Sequence, residues 1–588
     1  MTVPDEPQAA LFDFPSYQEP PRLSDTTRHL CGAAYLDLEF ADTVIREVIE
    51  DERRAVAPSF GFDLNAIVRH CFRARHRYLV RDGILFGLLV LGLVISFFGT
   101  VFWLLLGITV LAARSPELRQ LPPRVRLVLF GSLIAVLLCC GGGALLGPLM
   151  GGFPSLAGGP SGGDFGGGDS LMAARGREGG DGFEVGVSAI LGLPPILLGI
   201  ATLAVLTRFE RTTHQILTDE LRPGVTPILP SVPNERVARR LAMVARAQYG
   251  NIIVQEADPF LGCGEAEHGW SYAIPVRHAR GRATGQADDT SATPIDQSEL
   301  GSALTAHVRA AVRRMREDPL PPGVRVPGLS LMPHIVADGV RQQGDPLLDP
   351  ATGIPRSRAS DEVIEAIIRH PQGGLRYYDR IVVSGAGKAL HTADGRLVLP
   401  EQRLGIDISA FVHVAVEGGL LYVEFVTTVM LPIQARYALV DRLHPEQSTA
   451  RVVRAVLPTM LTDSVLSGWR LARRLRHQWS MKTRMADALA ASVQFRTHDY
   501  GARVSVRQLV AEPDAVKHLQ LLDEWKYTKL LERVVLEAVA AFLTERGLDT
   551  GDLVRRASEV QNIFGNVNNI FGGQQAFASS NVAFDQRK

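Results

Sequence analysis

The sequence lacks the features by which several common functions are recognised. Its 588 residues include only five cysteines, and no two of them form a CxxC pair, which argues against a zinc ribbon or a disulfide framework. Basic and acidic residues each number 62, so the formal net charge is zero. Because nucleic-acid binding needs a clustered positive excess, no nucleic acid is expected as a partner.

Recognisable catalytic motifs are also missing. The sequence contains no HExxH, no GxSxG and no paired-carboxylate signature, the patterns by which several hydrolase classes are recognised. One segment gathers side chains that could carry chemistry, since Cys263, Glu265, Glu267 and His268 fall within six residues. We expect an ordinary loop there, with no metal and no cofactor. An enzyme acting through the Cys263–His268 loop is kept as an alternative function.

Three long apolar blocks are present, at 84–113, 127–150 and 185–207, and none contains Asp, Glu, Lys, Arg or His. Each exceeds the roughly 18 to 20 residues that cross a hydrocarbon core of about 30 Å. Transporters usually place charged groups in the bilayer, so this composition favours anchoring over transport. The predicted fold class is an α-helical membrane region of three apolar blocks, with up to four crossings, plus a cytoplasmic α+β domain with antiparallel strands and long helices.

Arginines around the first block set the expected orientation. Five lie before it, at positions 69 to 81, and four separate it from the second block. Cytoplasmic flanks carry such an excess, and the stretch before the block is expected at the lipid headgroups. Thirty apolar residues at about 1.5 Å each exceed one upright span, so 84–113 is predicted to be a membrane hairpin or a long helix. The hairpin, broken near Gly99 and Thr100, places both termini in the cytoplasm, with the lipid bilayer as a partner.

The remaining chain divides by composition and periodicity. A linker with 13 glycines in 34 residues cannot bury enough apolar surface to fold alone. After the last apolar block, strand patterns alternate with long helical patterns, and Glu417, Gly418 and Gly419 mark a hairpin turn. The predicted segments are a disordered N-terminus (1–30), an N-terminal cytoplasmic helical segment (31–83), the Gly-rich linker (151–184), a cytoplasmic α+β domain (208–560) and an Asn/Gly-rich β-prone tail (561–588).

Six short blocks carry a family resemblance. They read AVAPSFGFDL (55–64), YGN (249–251), PFLGCG (259–264), GWSYA (269–273), LLYVEF (420–425) and HDYGARVSVRQ (498–508). Together they resemble a family of multi-pass membrane proteins from high-GC Gram-positive bacteria that has no established activity. The resemblance spans most of the chain, implies a membrane-anchored architecture and transfers no catalytic residue.

The segment NIFGNVNNIFGG (562–573) repeats Asn-Ile-Phe-Gly with an offset of seven residues. Its asparagines and glycines make a helix costly, whereas asparagine ladders and apolar zippers between identical chains stabilise cross-β assemblies. The core FGNVNNI (564–570) resembles part of the RIP homotypic interaction motif and the amyloid signalling tails of multicellular bacteria. That resemblance implies homotypic or partner assembly through Ile563, Phe564, Gly565, Asn568, Ile570 and Phe571.

Two alternatives for the tail stay open, which are pairing with a sheet of its own domain and disorder. The whole sequence predicts a multi-pass membrane protein that anchors an interaction, signalling or scaffold domain and recruits partners through a β-pairing tail. A membrane-anchored enzyme is the alternative, and a transporter is the third.

Overall fold

A computed structural model describes residues 22–114, 181–277, 297–316 and 328–555, with short gaps inside the last range. Residues 12–13, 17, 20 and 326 are described as isolated positions. The apolar block 127–150, most of the Gly-rich linker and the tail 561–588 lie outside the described residues. The described chain forms a helical N-terminal part and a sheet part.

The N-terminal part is a set of helices around one apolar core. Side chains start two of them, because Ser24 Oγ accepts a hydrogen bond from Thr27 N at 3.2 Å and Asp63 Oδ1 accepts one from Asn65 N at 3.0 Å. The helices are α1 (Asp25–Leu36), α2 (Leu38–Val44), α3 (Leu64–Ile95), α4 (Phe97–Arg114), α5 (Asp181–Gln215) and α6 (Glu235–Ala247), with π-helical turns at Ile45–Glu50 and Ile216–Glu220.

A six-stranded sheet is the centre of the second part. The strands of the chain are β1 (Phe12–Asp13), β2 (Ile252–Gln255), β3 (Glu265–Pro275), β4 (Leu329–Asp338), β5 (Val340–Gln342), β6 (Arg358–Ala359), β7 (Leu375–Gly387), β8 (Leu390–His391), β9 (Leu397–Leu399), β10 (Gln402–Glu417), β11 (Leu420–Met430) and β12 (Thr497–Asp499). The large sheet has the order β2-β4-β7-β10-β11-β3. Only its β2–β4 pair is parallel, so the sheet is mixed.

The predicted hairpin turn is present between β10 and β11. Gly418 and Gly419 adopt φ angles of +59° and +77°, which two-residue hairpin turns require and which glycine adopts without steric cost. The turn sets the register in which His413 stands opposite Glu424.

Helices cover one face of the sheet. These are α7 (Gln297–Arg314), α8 (Asp361–Arg369) and α11 (His518–Glu545). The helices α9 (Thr449–Val456) and α10 (Met460–Gln494) pack instead against helices of the N-terminal part. Alternate strand residues pack with α7 and α11 in one core that includes Trp270, Leu304, Ile381, Phe425 and Val535. We call the opposite side the outer face.

Sequence blocks that are far apart in the chain meet between the two parts. Ala55 N donates to Tyr500 O at 2.8 Å, and Ser59 N donates to Gln248 O at 2.9 Å. Gly262 N donates to the Gln508 side chain at 3.0 Å. Three of the six blocks in the family resemblance, 55–64, 259–264 and 498–508, therefore form one seam that fastens the N-terminal helices to the sheet part.

The predicted fold class, a membrane region of three apolar blocks with up to four crossings beside an α+β domain, is wrong. Among the described residues, one helix, α3, is long and apolar enough to cross a membrane. The block 84–113 is divided at Ser96 between α3 and α4, and 185–207 lies inside α5. The physical reason is packing within the chain, because Leu85 and Leu206 are buried against α9. The sheet part is α+β, as expected.

A buried ion pair joins α3 to α10. The Asp82 side chain has no exposed area. Its carboxylate pairs with Arg474 and Arg81, whose side chains are each 10% exposed. Arg474 Nη1 also donates to Tyr78 O at 2.9 Å. One residue further along α3 the uncharged segment begins, so this pair stands where the polar half of the helix ends.

We expect Asp82→Asn to lower the free energy of unfolding by about 3 kcal/mol, because two buried guanidinium groups lose their counter-charge. Urea unfolding of the detergent-solubilised chain, followed by circular dichroism, measures this loss. Asp463→Asn is the matched control on α10, since its pair with Arg470 is more exposed, at 18% and 27%. The control should cost less than about 1 kcal/mol, and equal losses in the two variants would contradict the assignment.

Candidate membrane-binding surface

The uncharged half of α3 ends in a group of exposed apolar side chains. Val94 is 80% exposed and Ile95 is 64% exposed, although both lie in a helix that packs against others. The most apolar window of α3 has a mean hydropathy of 2.0, and only 17% of it is buried. We call this region, together with the neighbouring part of α5, the apolar tip, and its exposed members are Leu91, Val94, Ile95, Ile196, Leu197 and Ile200.

Close contacts between helices fix the position of α4 beside the apolar tip. A side chain on Gly92 would meet Thr100 Oγ1 at 2.8 Å, and one on Gly107 would meet Val465 at 2.4 Å. Trp103 Nε1 donates to Ser464 Oγ at 3.3 Å. Small residues at helix crossings are the means by which apolar helices approach closely, so α4 is held against both α3 and α10.

The chain turns back after Ser96. Arg114, the last residue of α4, donates from Nη2 to Pro458 O at 2.9 Å, and nearby Val456 is clustered with Leu85. Leu85 lies only three residues from Asp82. The end of α4 therefore returns toward the level of the Asp82 ion pair.

Arginine and aromatic side chains surround the bundle at the base of the tip. The Arg81 guanidinium lies 4.8 Å from the Tyr78 ring and 4.9 Å from the Phe209 ring, and Arg473 lies 5.4 Å from the exposed ring of Trp469. Such residues are enriched where a protein passes from water into lipid. We call them the interface belt.

We add to the belt four arginines at the same level that have no ion-pair partner among the described residues. They are exposed, and they come from both α5 and α10: Arg208, Arg211, Arg473 and Arg476. Exposed arginines near an anionic leaflet each contribute about 1 kcal/mol of attraction. The belt therefore matches a negatively charged bilayer surface.

The arginines that were expected at the lipid headgroups lie elsewhere. Arg73 pairs with Glu220 at 2.5 Å, and Arg75 lies 3.5 Å from Asp42. Acidic groups from α2 and from the π-helical turn after α5 take up these guanidinium groups, and such partners cannot be identified from the local sequence. The exposed positive charge comes instead from the arginines of the interface belt.

The segment Cys263–His268 was expected to be an ordinary loop, but Glu265 to His268 belong to strand β3. Its side chains therefore lie on different sides of the sheet. Cys263 is buried with Tyr378 and Phe411 at the outer face, and burial raises the pKa of its thiol to about 11, so it stays protonated at neutral pH. His268 Nε2 lies 3.7 Å from Glu532 Oε1 on α11. Within the described ranges, no group of three His, Cys, Asp or Glu side chains is arranged to hold a metal.

The predicted assembly residues lie outside the described residues. They are Ile563, Phe564, Gly565, Asn568, Ile570 and Phe571. Nothing in the fold therefore tests the similarity of this tail to homotypic interaction motifs, which stays a prediction.

The fold and this surface together define an α+β protein that carries an apolar helical tip. A family model described as the AbeC-like domain matches residues 269–577, more than half of the chain, and the chain belongs to this family. The match begins in β3, includes the strands and helices that follow it and extends across the tail residues 563–571, whereas β2 precedes it. No curated protein and no solved structure matches the chain.

One carboxyl group beside the loop makes stability depend on pH. Burial, and then the nearby Glu267 carboxylate, raise the pKa of Glu524 on α11 from 4.5 to about 7. Because this pKa is higher in the folded state than in the unfolded state, folding favours the protonated form of Glu524. The resulting contribution to the free energy of unfolding is fully present below pH 4.5 and is lost as the pH rises through about 7.

We expect Glu524→Gln to unfold like the wild type near pH 4.5 and at a higher urea concentration above pH 7, since the glutamine stays neutral. The gain should stay below about 1 kcal/mol, because the half-exposed group is screened by solvent. Glu545→Gln, at an exposed position of the same helix, is the control and should not change the pH dependence. If the stability of Glu524→Gln changed with pH in parallel with that of the wild type, the raised pKa assigned to Glu524 would be contradicted.

Proposed function

We propose that this chain is a membrane-anchored interaction protein of the signalling or scaffold kind, whose apolar tip enters a lipid bilayer and holds the AbeC-like domain at its surface. The observation that carries the proposal is the exposure of Val94 and Ile95, at 80% and 64%, beside the interface belt. Burying a large apolar side chain is worth about 1.5–3 kcal/mol. A bilayer would bury the exposed apolar side chains of the tip, and its headgroups would contact the arginine and aromatic side chains of the interface belt.

The geometry also favours one membrane side for both parts of the chain. On the side of the belt away from the tip, α10 is joined to the N-terminal helices, because its Arg484 pairs with Glu50 of the π-helical turn at 2.6 Å. From Asp82 to Ile95, α3 rises about 20 Å, which is less than a hydrocarbon core of about 30 Å. We therefore place the N-terminal helices and the AbeC-like domain together on the cytoplasmic side, in keeping with the arginine excess.

Replacing the tip tests this proposal. The variant Leu91→Gln/Val94→Gln/Ile95→Gln should lose vesicle binding by more than about tenfold, because three apolar side chains no longer gain from burial. After detergent removal in the presence of phosphatidylcholine and phosphatidylglycerol vesicles, flotation separates bound from unbound protein.

The matched control replaces three equally exposed apolar residues away from the tip, Val340, Val493 and Leu519, which are 58%, 62% and 61% exposed. The control Val340→Gln/Val493→Gln/Leu519→Gln should float like the wild type. Flotation of the tip variant at the wild-type level would overturn the proposal, as would equal losses in both variants.

The tail is the second part of the proposal. We infer that residues 563–571 recruit a second copy or a partner by β-pairing, supported by the repeated Asn-Ile-Phe-Gly sequence and by its inclusion in the AbeC-like match. Identical segments can stack through asparagine ladders and apolar zippers. A membrane anchor would concentrate such tails on one surface.

Two differently tagged copies of the full chain should co-purify from one membrane, and Gly565→Pro/Asn568→Pro should abolish this, because proline removes a backbone donor from a strand. Ala9→Pro/Ala10→Pro, in the N-terminus (1–30) that is predicted to be disordered, is the control outside the tail and should co-purify normally. Unchanged co-purification of the first variant would remove the assembly role and leave the anchor intact.

The alternative function, an enzyme that uses the Cys263–His268 loop, has less support. A protonated, buried thiol is a poor nucleophile because the thiolate is the reactive form. The loop geometry therefore favours an interaction domain over this particular chemistry.

A further inference from the structure

The two edges of the large sheet differ in how they are covered. At the β2 edge, Ala502 N donates to Val254 O at 2.8 Å, and Glu256 N donates to Ala502 O at 3.4 Å. The opposite edge is β3, the last strand in the sheet order. Among the described residues, β3 pairs with β11 and with no strand on its other side. The side of β3 away from β11 is therefore an open edge.

Alternate residues of β3 supply the backbone groups of this edge. Val276 N donates to Gly419 O at 2.8 Å, so the backbone of position 276 is directed toward β11. Because this direction alternates along an antiparallel pair, the even-numbered residues from 270 to 274 bond to β11. The odd-numbered residues direct their N–H and C=O groups to the open side, and all are exposed: Gly269, Ser271 and Ala273. No backbone hydrogen bond from another described segment reaches these three residues.

This stretch lacks the features by which natural proteins protect an edge strand. Exposed edges commonly carry lysine, proline or a bulge that prevents pairing with another strand. The block GWSYA (269–273) contains no charged residue and no proline. The irregularity in the β3–β11 register lies before this block, at Thr427 and Thr428 of β11. The block can therefore accept an added strand through its backbone.

The C-terminal chain reaches this edge directly after α11. Asp549 N donates to Arg277 O at 2.9 Å, and position 277 continues the odd-numbered series of the open side. Leu548 and Leu553 are buried in the same core as Trp270 of β3. The chain that follows α11 is therefore fixed beside the last residues of β3.

The tail is long enough to follow β3 from that point. The described chain ends at Arg555, and the seven residues 556–562 connect it to the repeat. In an extended form these seven residues span about 23 Å. Ala273 lies four residues before Arg277, which is about 14 Å along a strand. The repeat can therefore reach the open edge while Asp549 keeps its hydrogen bond to Arg277.

The repeat also has a side-chain pattern that suits this position. Ile563, Val567 and Phe571 are spaced four residues apart, so they share one face of an extended strand. The side chains of Trp270 and Ile274 on β3 belong to the core between the sheet and its helices. A strand added at the edge would place the three apolar side chains beside that core. Its opposite face is mixed and includes two asparagines.

We propose that the open edge of β3 binds the chain's own tail, so that residues 563–571 become a seventh strand of the six-stranded sheet. This inference rests on the β-pairing tail of the proposed function and adds where the tail lies while no second copy is bound. A tail on the same chain is favoured over that of another copy, because a short tether gives it a millimolar effective concentration. Assembly with a second copy then requires the tail to leave this edge.

Amide hydrogen exchange of the full chain tests this inference, with the monomer isolated by gel filtration in detergent. Mass spectrometry with fragmentation to single residues follows each amide. We expect Ser271 and Ala273 to exchange at least about tenfold more slowly in the wild type than in Gly565→Pro/Asn568→Pro, because a hydrogen-bonded amide exchanges only when the structure opens.

Two controls accompany this measurement. The amides of Trp270 and Ile274 are directed toward β11 and should exchange at the same rate in the wild type and in the tail variant. The variant Ala9→Pro/Ala10→Pro, outside the tail, should give the wild-type rate at Ser271.

The inference is overturned if the Ser271 and Ala273 amides exchange at the same rate in the wild type and in the tail variant. Slow exchange that appears only in a dimer fraction would also overturn it, since the added strand would then come from a second copy. Failure of the proposed recruitment is seen separately, as co-purification of tagged copies that the tail prolines leave unchanged.

Discussion

The Asp82–Arg474 ion pair is the constraint on which the arrangement of the whole chain depends. It joins a helix of the N-terminal part to a helix of the AbeC-like domain, and it does so where α3 changes from a polar to an uncharged helix. An isolated buried charge is costly, so α10 must stay beside α3 at this level. That position brings Trp469 and Arg473 to the base of the apolar tip and places the sheet on the opposite side of the ion pair.

Other polar contacts repeat this design at the seam. Arg240, buried on α6, donates to the carbonyl oxygens of Val48, Glu52 and Arg54 at 2.7 to 3.1 Å, which satisfies the end of a π-helical turn that has no intrahelical partner. The N-terminal helices are therefore a rigid support for the sheet. Such a support holds the AbeC-like domain in a fixed position relative to the tip.

The sequence predicts the local elements better than their assembly. Gly418 and Gly419 identify the β10–β11 hairpin because few residues adopt positive φ angles there, and the apolar periodicity locates the long helices. Hydropathy gave the wrong prediction for the membrane crossings of 84–113, because it does not distinguish lipid from a partner helix. The partner helix α10 lies hundreds of residues away and cannot be identified from the local sequence. Arg73 and Arg75 were expected at lipid for a similar reason, because their acidic partners come from distant segments. The open edge of β3 could not be predicted either, since the strand order that leaves β3 last is set by pairings between distant segments.

The depth of the apolar tip in a bilayer can be measured directly. A bimane label on a single cysteine at position 94, and separately at position 340, would be measured in vesicles that contain lipids brominated at different acyl depths. Strong quenching by deeply brominated lipid is expected at position 94, and none at position 340, which lies in the sheet part. Equal quenching at the two positions, or none at position 94, would contradict the claim that the apolar tip anchors the AbeC-like domain to the membrane.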